Sequence, residues 1–258
     1  MEYEILLSTM NKKSIADLKL SEKNIEKNCL IINQVLDENI QLVNEEIKEK
    51  HIRMISFREK GIALSRNRAL ENAKGDICIL SDDDITFKKE VFENIVKLFL
   101  NKNIEIMTFM FEKNGKPAKK YKNKEFFHSK FTVCKVSSVE IAFNRKKIEE
   151  NNLKFDTRFG LGAKYNSSEE NIFLLDAMNK KLKIKFYPLN ILDHPLEGAR
   201  NKFDKNKFYG KGAFFKRGYG KLGLFLSIIF IILKYKKYKE QINVKGALNS
   251  ILKGYKSI

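Results

Sequence analysis

"DICILSDDDITF" occupies residues 76–87. An apolar, β-branched run from Ile77 to Leu80 leads into three aspartates, Asp82, Asp83 and Asp84, and then apolar chain resumes. Adjacent carboxylates repel, so three of them at the mouth of a buried strand need a reason. Three earlier runs share the strand's composition: "YEILLS" (3–8), "CLIINQ" (29–34) and "IRMISF" (52–57). Continuous apolar runs of this length read as strands buried on both faces, the habit of a parallel sheet. Polar, helix-like segments separate them. The clearest is "GIALSRNRALENAKG" (61–75), with Ile62, Leu64, Ala69, Leu70 and Ala73 as apolar members and Lys74-Gly75 as a stop signal. Strands alternating with helices predict an α/β fold, a mostly parallel sheet flanked by helices. Ligands of such sheets lie outside the carboxyl ends of the strands, where the aspartates fall.

The chain has 258 residues and is 43% hydrophobic, enough to fill a core and exclude disorder. Three scattered cysteines, Cys29, Cys78 and Cys134, form no paired spacing. That speaks against a disulfide framework or zinc site and for a reducing cytosol. The start, "MEYEILLSTMNKKS", carries acids where an export signal has bases. From Arg200 onward 15 Lys and Arg face only Asp204 and Glu240, a net of +13, leaving +5 of the total +18 for the first 199 residues. The basic face belongs to the tail.

Further along, a helix is predicted over 88–100 and a strand over 104–111, followed by a lysine-rich loop over 112–125. One or two strands over 131–144, a short helix near 145–151, a helix over 167–181 and a final strand over 182–188 complete the series.

In extended chain alternate side chains share a side, so Asp82 and Asp84 can face one ligand while Asp83 points away or reaches around. A divalent cation offsets the repulsion of clustered carboxylates, and hard oxygen ligands suit Mg²⁺ or Mn²⁺. The plainer reading is a solvated turn with acids at a helix start. Three acids after a buried strand exceed what capping needs. A second acidic site, "YNSSEENIFL" (165–174), pairs Glu169 with Glu170. Ser167 and Glu170 stand at capping-box spacing, yet Glu170 also suits a general base taking a proton from an attacking hydroxyl. Gly160 and Gly162, just before, suggest a loop passing close to a ligand, or simply a turn.

These two acidic sites, in this order, resemble the inverting GT-A glycosyltransferases of family 2. "GIALSRNRALENAKGDICILSDDDI" is similar to that family's run from an arginine-asparagine helix to its D-x-D strand end. "FDTRFGLGAKYNSSEENIFLLDAMNKKLKIKFYP" is similar to its later E-D helix and the strand beyond. The resemblance covers roughly residues 1–195 and implies a nucleotide-sugar donor. Asp82 and Asp84 stand for the D-x-D pair holding Mn²⁺ or Mg²⁺, with Asp83 an alternative ligand also near the donor. Glu170 takes the place of the usual catalytic aspartate, one methylene longer, and Glu169 that of the preceding acid. Ser8 and Thr9, at the first strand end, lie against the nucleotide, and His194 completes the metal shell or touches the diphosphate. Arg66 is a phosphate contact or an exposed helix arginine. The family often carries an aspartate after the second strand that reads the base; "IINQ" offers Asn33 and Gln34, so uridine is an expectation from the resemblance only. His51 and His128 read as structural or solvated.

The tail holds a 12-residue run, Leu222 to Leu233, in which only Ser227 is polar, bracketed by Lys, Arg and Tyr. Spanning hydrocarbon takes about 20 apolar residues. This pattern instead suits a segment lying on an anionic leaflet, or a helix in the core of the tail. Residues 1–198 are thus expected to form the nucleotide-sugar-binding and catalytic domain. Residues 199–258 form a basic amphipathic helical tail. The whole points to transfer of a sugar, from a UDP-sugar by resemblance, to a hydroxyl of a glycan or lipid-linked acceptor in surface polysaccharide synthesis. The site would be cytoplasmic, peripheral on the inner face of the cell membrane, with no nucleic-acid partner. Two alternatives stand beside it: a nucleotidyltransferase of α/β fold, and a non-catalytic membrane or nucleic-acid binding protein.

Overall fold

The apolar runs that open the chain lie side by side as strands. The computed structural model describes residues 1–101, 103–195 and 203–258. Its strands are β1 (Tyr3–Met10), β2 (Cys29–Gln34), β3 (Glu45–Ile47), β4 (Ile52–Phe57), β5 (Ile77–Asp82), β6 (Thr86–Phe87), β7 (Ile106–Lys113), β8 (Lys116–Pro117), β9 (Phe126–Phe127), β10 (Ile141–Asn144) and β11 (Ile184–His194). Its helices are α1 (Ile62–Asn72), α2 (Val91–Asn101), α3 (Arg145–Glu150), α4 (Glu169–Asn179), α5 (Lys205–Tyr219), α6 (Leu222–Tyr238) and α7 (Val244–Lys256). The sheet runs β3-β4-β2-β1-β5-β10-β7-β11-β6, with β8 on β7 and β9 on β11. Neighbours β4, β2, β1 and β5 are parallel, as are β7 and β11. β10 enters antiparallel between β5 and β7, so the sheet is mixed around a parallel core.

By compactness the chain divides into two units. One comprises residues 1–60, 64–154 and 176–196 and holds the whole sheet; the other comprises 61–63, 155–175 and 197–258. The boundary expected between 198 and 199 lies outside the described residues.

In the first unit every residue of β2 is buried, and so are all of β1 but Met10, as expected of strands covered on both faces. On one face Tyr3, Ile5 and Leu7 join Ile79, Met107 and Phe109 beneath Phe92, Ile95 and Phe99 of α2. Tyr3 stacks on Phe92 at 4.8 Å between ring centres. Each such side chain contributes about 1.5–3 kcal/mol on burial.

Two expectations change here. Only residues 141–144 of the 131–144 segment are a strand; before them come two 3₁₀ turns, Val133–Lys135 and Ser138–Glu140. Glu140 is the cause. Its buried carboxylate accepts from Ser137 N at 2.7 Å, closing the turn, and from Lys119 Nζ and Tyr121 Oη at 2.6 and 2.5 Å. The lysine-rich loop is thereby tied down at Lys119 and Tyr121. The final strand also runs beyond Pro188 to His194. Pro188 cannot donate to the ladder, and the β11–β7 register shifts between Phe186 and Asn190 and again before Leu192. The strand absorbs the proline as an irregularity and continues.

The second unit contains α5, α6 and α7 together with residues 155–175. α5 and α7 approach through glycines: a Cβ on Gly212 would overlap the Ile251 carbonyl, and one on Gly254 the Tyr209 carbonyl. Phe208 lies at the centre, edge-on to Tyr238 at 5.0 Å. Phe155 stacks on Phe173 at 4.3 Å. Tyr165 Oη donates to the Ser257 carbonyl at 2.8 Å. Burial pushes the Asp156 carboxyl up, but bonds from Arg158 and Arg217 outweigh it and hold it below the usual carboxylate range.

Two outcomes follow. Gly254→Ala gains about 1 kcal/mol of helix propensity but forces two backbones apart, which costs about 1–3 kcal/mol or more. Net destabilisation is expected, read as a lower urea midpoint. His128 bonds Thr108 Oγ1 at 2.8 Å and Thr132 Oγ1 at 3.0 Å. Burial, with the Lys119 charge, lowers its pKa from 6.5 to about 4. The unfolded chain therefore binds the extra proton first, and stability present above pH 6.5 is lost as pH falls toward 4. The loss is about 3 kcal/mol at most, and His128→Gln should flatten the stability profile across that window.

Candidate active site

Parallel register aligns the carboxyl ends of the core strands. Ser8 of β1 lies opposite Asp82 of β5, Thr9 opposite Asn33 of β2, and Asn33 opposite Ser56 of β4. A polar row thus forms at one edge of the sheet, where ligands of α/β sheets bind. Ser8 and Thr9 are both buried.

Each aspartate has a different neighbour. Asp82 accepts from Arg66 of α1 at 3.3 Å, and that guanidinium is almost wholly buried. One residue earlier on α1, Ser65 donates to Ser8 at 2.9 Å. The buried face of α1 is therefore partly polar, Ser65 and Arg66 with Ala69, while Ile62, Leu64 and Leu70 of the expected stripe stay half-buried. Asp83 turns toward β1, accepting from Thr9 Oγ1 at 2.5 Å and lying 3.5 Å from Lys12 Nζ. The Lys12 main chain is clamped by Asn33, whose carboxamide accepts from Lys12 N at 3.0 Å and donates to Lys12 O at 2.8 Å and Ser56 Oγ at 3.1 Å. Both ends of Asn33 are spent inside the fold.

Asp84 meets His194. After the aspartates, β6 pairs antiparallel with the end of β11, Thr86 opposite Asp193 and Phe87 opposite Leu192. That pairing brings Asp84 back beside His194, with Nε2 to Oδ1 at 3.5 Å. His194 Nδ1 lies 2.8 Å from the Pro195 carbonyl, an acceptor only, so Nδ1 carries the proton and Nε2 presents its lone pair in the neutral ring. One oxygen each from Asp82 and Asp84 and one ring nitrogen of His194 fall within 4.8 Å of one another. With the ring neutral, the Nε2 lone pair and the Asp84 carboxylate together make a donor pair that a cation between them would join. Carboxylates with one imidazole suit Mn²⁺, and Mg²⁺ less well. The donor set fits a divalent metal.

In the second unit Glu169 and Glu170 open α4. Ser168 precedes the helix, its carbonyl accepting from Ile172 N at 3.0 Å. The Ser167–Glu170 spacing is therefore one residue early for a capping box. Ser168 holds a left-handed φ of 77°, and its hydroxyl accepts from Lys211 Nζ at 2.7 Å. Glu169 is buried and Glu170 half-buried. A Cβ on Gly160 would come within 3.0 Å of the Glu169 carboxylate, and φ there is 102°. Glycine is what lets this loop pass over Glu169. Lys12, Ser65 and Lys211 escaped the sequence reading. The polar dipeptides Ser65-Arg66 and Asn11-Lys12, set beside buried elements, were the available signals.

The sequence profile of glycosyl transferase family 2 matches residues 13–166, more than half of the chain. The chain belongs to glycosyl transferase family 2. This family 2 glycosyltransferase has the GT-A-like architecture, a mixed sheet flanked by helices, and divalent metals are common among GT-A enzymes. Among solved structures it resembles S. aureus TarS 1–349 in complex with UDP, with a TM-score of 0.63 at 13% identity over 98% of this chain and 81% of that one. It likewise resembles TarS 1–349 in complex with UDP-GlcNAc, with a TM-score of 0.65 at 13% identity over 97% and 79%. Against the longer S. aureus TarS chain the match covers 98% of this family 2 enzyme and 49% of TarS. No curated protein matches it in sequence.

The geometry predicts Mn²⁺ binding at Asp82, Asp84 and His194. Titration followed by the electron paramagnetic resonance of free Mn²⁺ should show one site, lost in Asp84→Ala. His194→Ala should weaken it at least about tenfold.

Proposed function

We propose that this glycosyltransferase moves a sugar from a UDP-sugar to a hydroxyl of a glycan or lipid-linked acceptor, with inversion, at the cytoplasmic face of a membrane. The observation that carries the donor half is the convergence of Asp82, Asp84 and His194 at the carboxyl ends of the sheet. The UDP and UDP-GlcNAc complexes of TarS support uridine as the donor nucleotide. Asn33, whose carboxamide is engaged by Lys12 and Ser56, is not the group that reads the base.

In this reading Asp82, Asp84 and His194 hold Mn²⁺ or Mg²⁺, which when bound supplies positive charge against the departing diphosphate. Arg66 fixes Asp82 and adds a buried cation beside it. Thr9 and Lys12 hold Asp83 toward β1. Ser8, in bond with Ser65, lines the nucleotide side. Glu170 takes the proton of the acceptor hydroxyl as its oxygen attacks the anomeric carbon and the bond to diphosphate breaks. Glu169, buried under Gly160, anchors the start of α4 that carries Glu170. Surface polysaccharide synthesis is the setting that suits a lipid-linked acceptor and a basic tail.

The test is a panel of nucleotide sugars with Mn²⁺ or Mg²⁺, assayed for released nucleoside diphosphate. UDP release is expected from one UDP-sugar, slow without acceptor. Asp84→Ala should abolish it. Glu170→Gln should lower transfer kcat by about 10²–10⁴ with the donor KM little changed. Release of pyrophosphate, or full transfer by Glu170→Gln, would overturn the assignment.

A further inference from the structure

We propose that the outer face of α6 seats on an anionic membrane surface, with the helix lying in the plane of the headgroups. The inference rests on the membrane-side reading above and names the surface that makes the contact.

The observation is that α6 turns a broad apolar face outward. The residues it turns inward are Gly223, Ser227, Ile231 and Tyr238. Gly223 sits where a Cβ would overlap the Phe215 carbonyl, and Ser227 bonds back to the Gly223 carbonyl at 2.8 Å. Ile231, Tyr238 and Phe230 pack within the unit, but most of the other bulky apolar side chains point to solvent. Phe225 is 60% exposed, Ile232 67% and Leu233 75%, with Leu224 and Ile228 also exposed. A soluble helix ordinarily does the reverse, and contiguous apolar exposure marks a surface that meets something.

The charge says what. Between Lys205 and Lys239 there are ten basic residues and no acid. Exposed Lys221 stands just before the apolar turns, and Lys236, Lys237 and Lys239 stand just after them. Two copies meeting through this face would bring those lysines together, whereas acidic headgroups match them. Length decides the orientation. The apolar run of 12 residues covers about 18 Å against about 30 Å of hydrocarbon. No helix among the described residues is long and apolar enough to cross a membrane. A helix with one apolar side and basic ends lies at the interface, its lysines reaching back to the headgroups.

The test uses the full chain and flotation with vesicles of phosphatidylcholine alone or mixed equally with phosphatidylglycerol. Binding to the mixed vesicles should be at least about tenfold stronger, since each lysine near the surface contributes about fivefold. The double variant Phe225→Ser, Ile232→Ser should lose most binding at any salt concentration. Lys236→Glu with Lys237→Glu should lose at least about twentyfold at low salt. Donor hydrolysis should be unchanged in both, separating this surface from the catalytic reading. The chain has no tryptophan, so Phe225→Trp reports the face alone, and its emission should shift to the blue on mixed vesicles. A chain that ignores mixed vesicles overturns the membrane-side reading and this inference together. Binding that survives in both double variants, or Phe225→Trp emission that does not move, leaves membrane binding standing and overturns the α6 face. Light scattering that reveals a dimer broken by the serine variant, without vesicle binding, assigns the face to a second copy and overturns it too.

Discussion

Two carboxylates whose oxygens come within 4.8 Å repel by about 3 kcal/mol at an effective dielectric near 20, and a third on the residue between them adds to that. The fold answers two of the three with protein partners: Arg66 lies against Asp82, and Thr9 and Lys12 against Asp83, while Asp84 stands beside His194. Each partner then has to be held. Arg66 is buried, so α1 must press a polar edge against the sheet and accept Ser65 beside Ser8. Lys12 follows a strand end, so Asn33 clamps its main chain from the next strand. Much of the polar architecture at this edge is the support of one charge cluster. Arg66 and Lys12 thus neutralise part of the cluster from within the chain, and the Asp82–Asp84–His194 group is where a cation would complete the balance.

The delivery of His194 shows what the site asks of the sheet. A strand ending at Pro188 would stop six residues short of it. The chain instead tolerates two register shifts on β11, at the cost of ladder bonds worth about 1 kcal/mol each. Phe87 and Thr86 recover some of that cost by pairing with Leu192 and Asp193, and Lys88 N adds a bond to the Ile191 carbonyl at 2.9 Å. The pairing also fixes the direction of the aspartate turn. Irregular strands cluster near active sites for this reason: a bulge re-aims the residues beyond it.

What the sequence disclosed follows from the range of the forces involved. The parallel core strands were legible because continuous apolar runs have few other uses, and the aspartates were legible because they follow one of those runs. "FTVCKVSSVE" has strand composition and is mostly turns, because the buried bonds of Glu140 to Lys119 and Tyr121 join residues about 20 apart and leave no local trace. The antiparallel entry of β10 is likewise a matter of tertiary order. At the site, Asp82, Asp84 and His194 were named from pattern and resemblance, and they converge. The clamp of Asn33 on Lys12 was not foreseen, since a carboxamide after a strand looks the same whether it reads a ligand or holds a loop. α5 falls within the helical tail expected over 199–258, but its bounds were not legible. Its three glycines argue against a helix by propensity, yet two of the neighbouring backbones approach so closely that Gly212 and its counterpart Gly254 are the residues that fit.

The second unit alters what the basic tail means. Read along the chain, it is an appendage after the last strand. In space, residues 155–175 fold with it. Tyr165 is tied to Ser257, Asp156 to Arg217 and Ser168 to Lys211. Ser168 sits in a left-handed conformation that costs about 1–2 kcal/mol for a residue with a side chain, and it directly precedes Glu169 and Glu170. A strained residue persists only where its surroundings over-determine it, and here those surroundings include α5. Through Lys211, α5 therefore helps to set the start of α4.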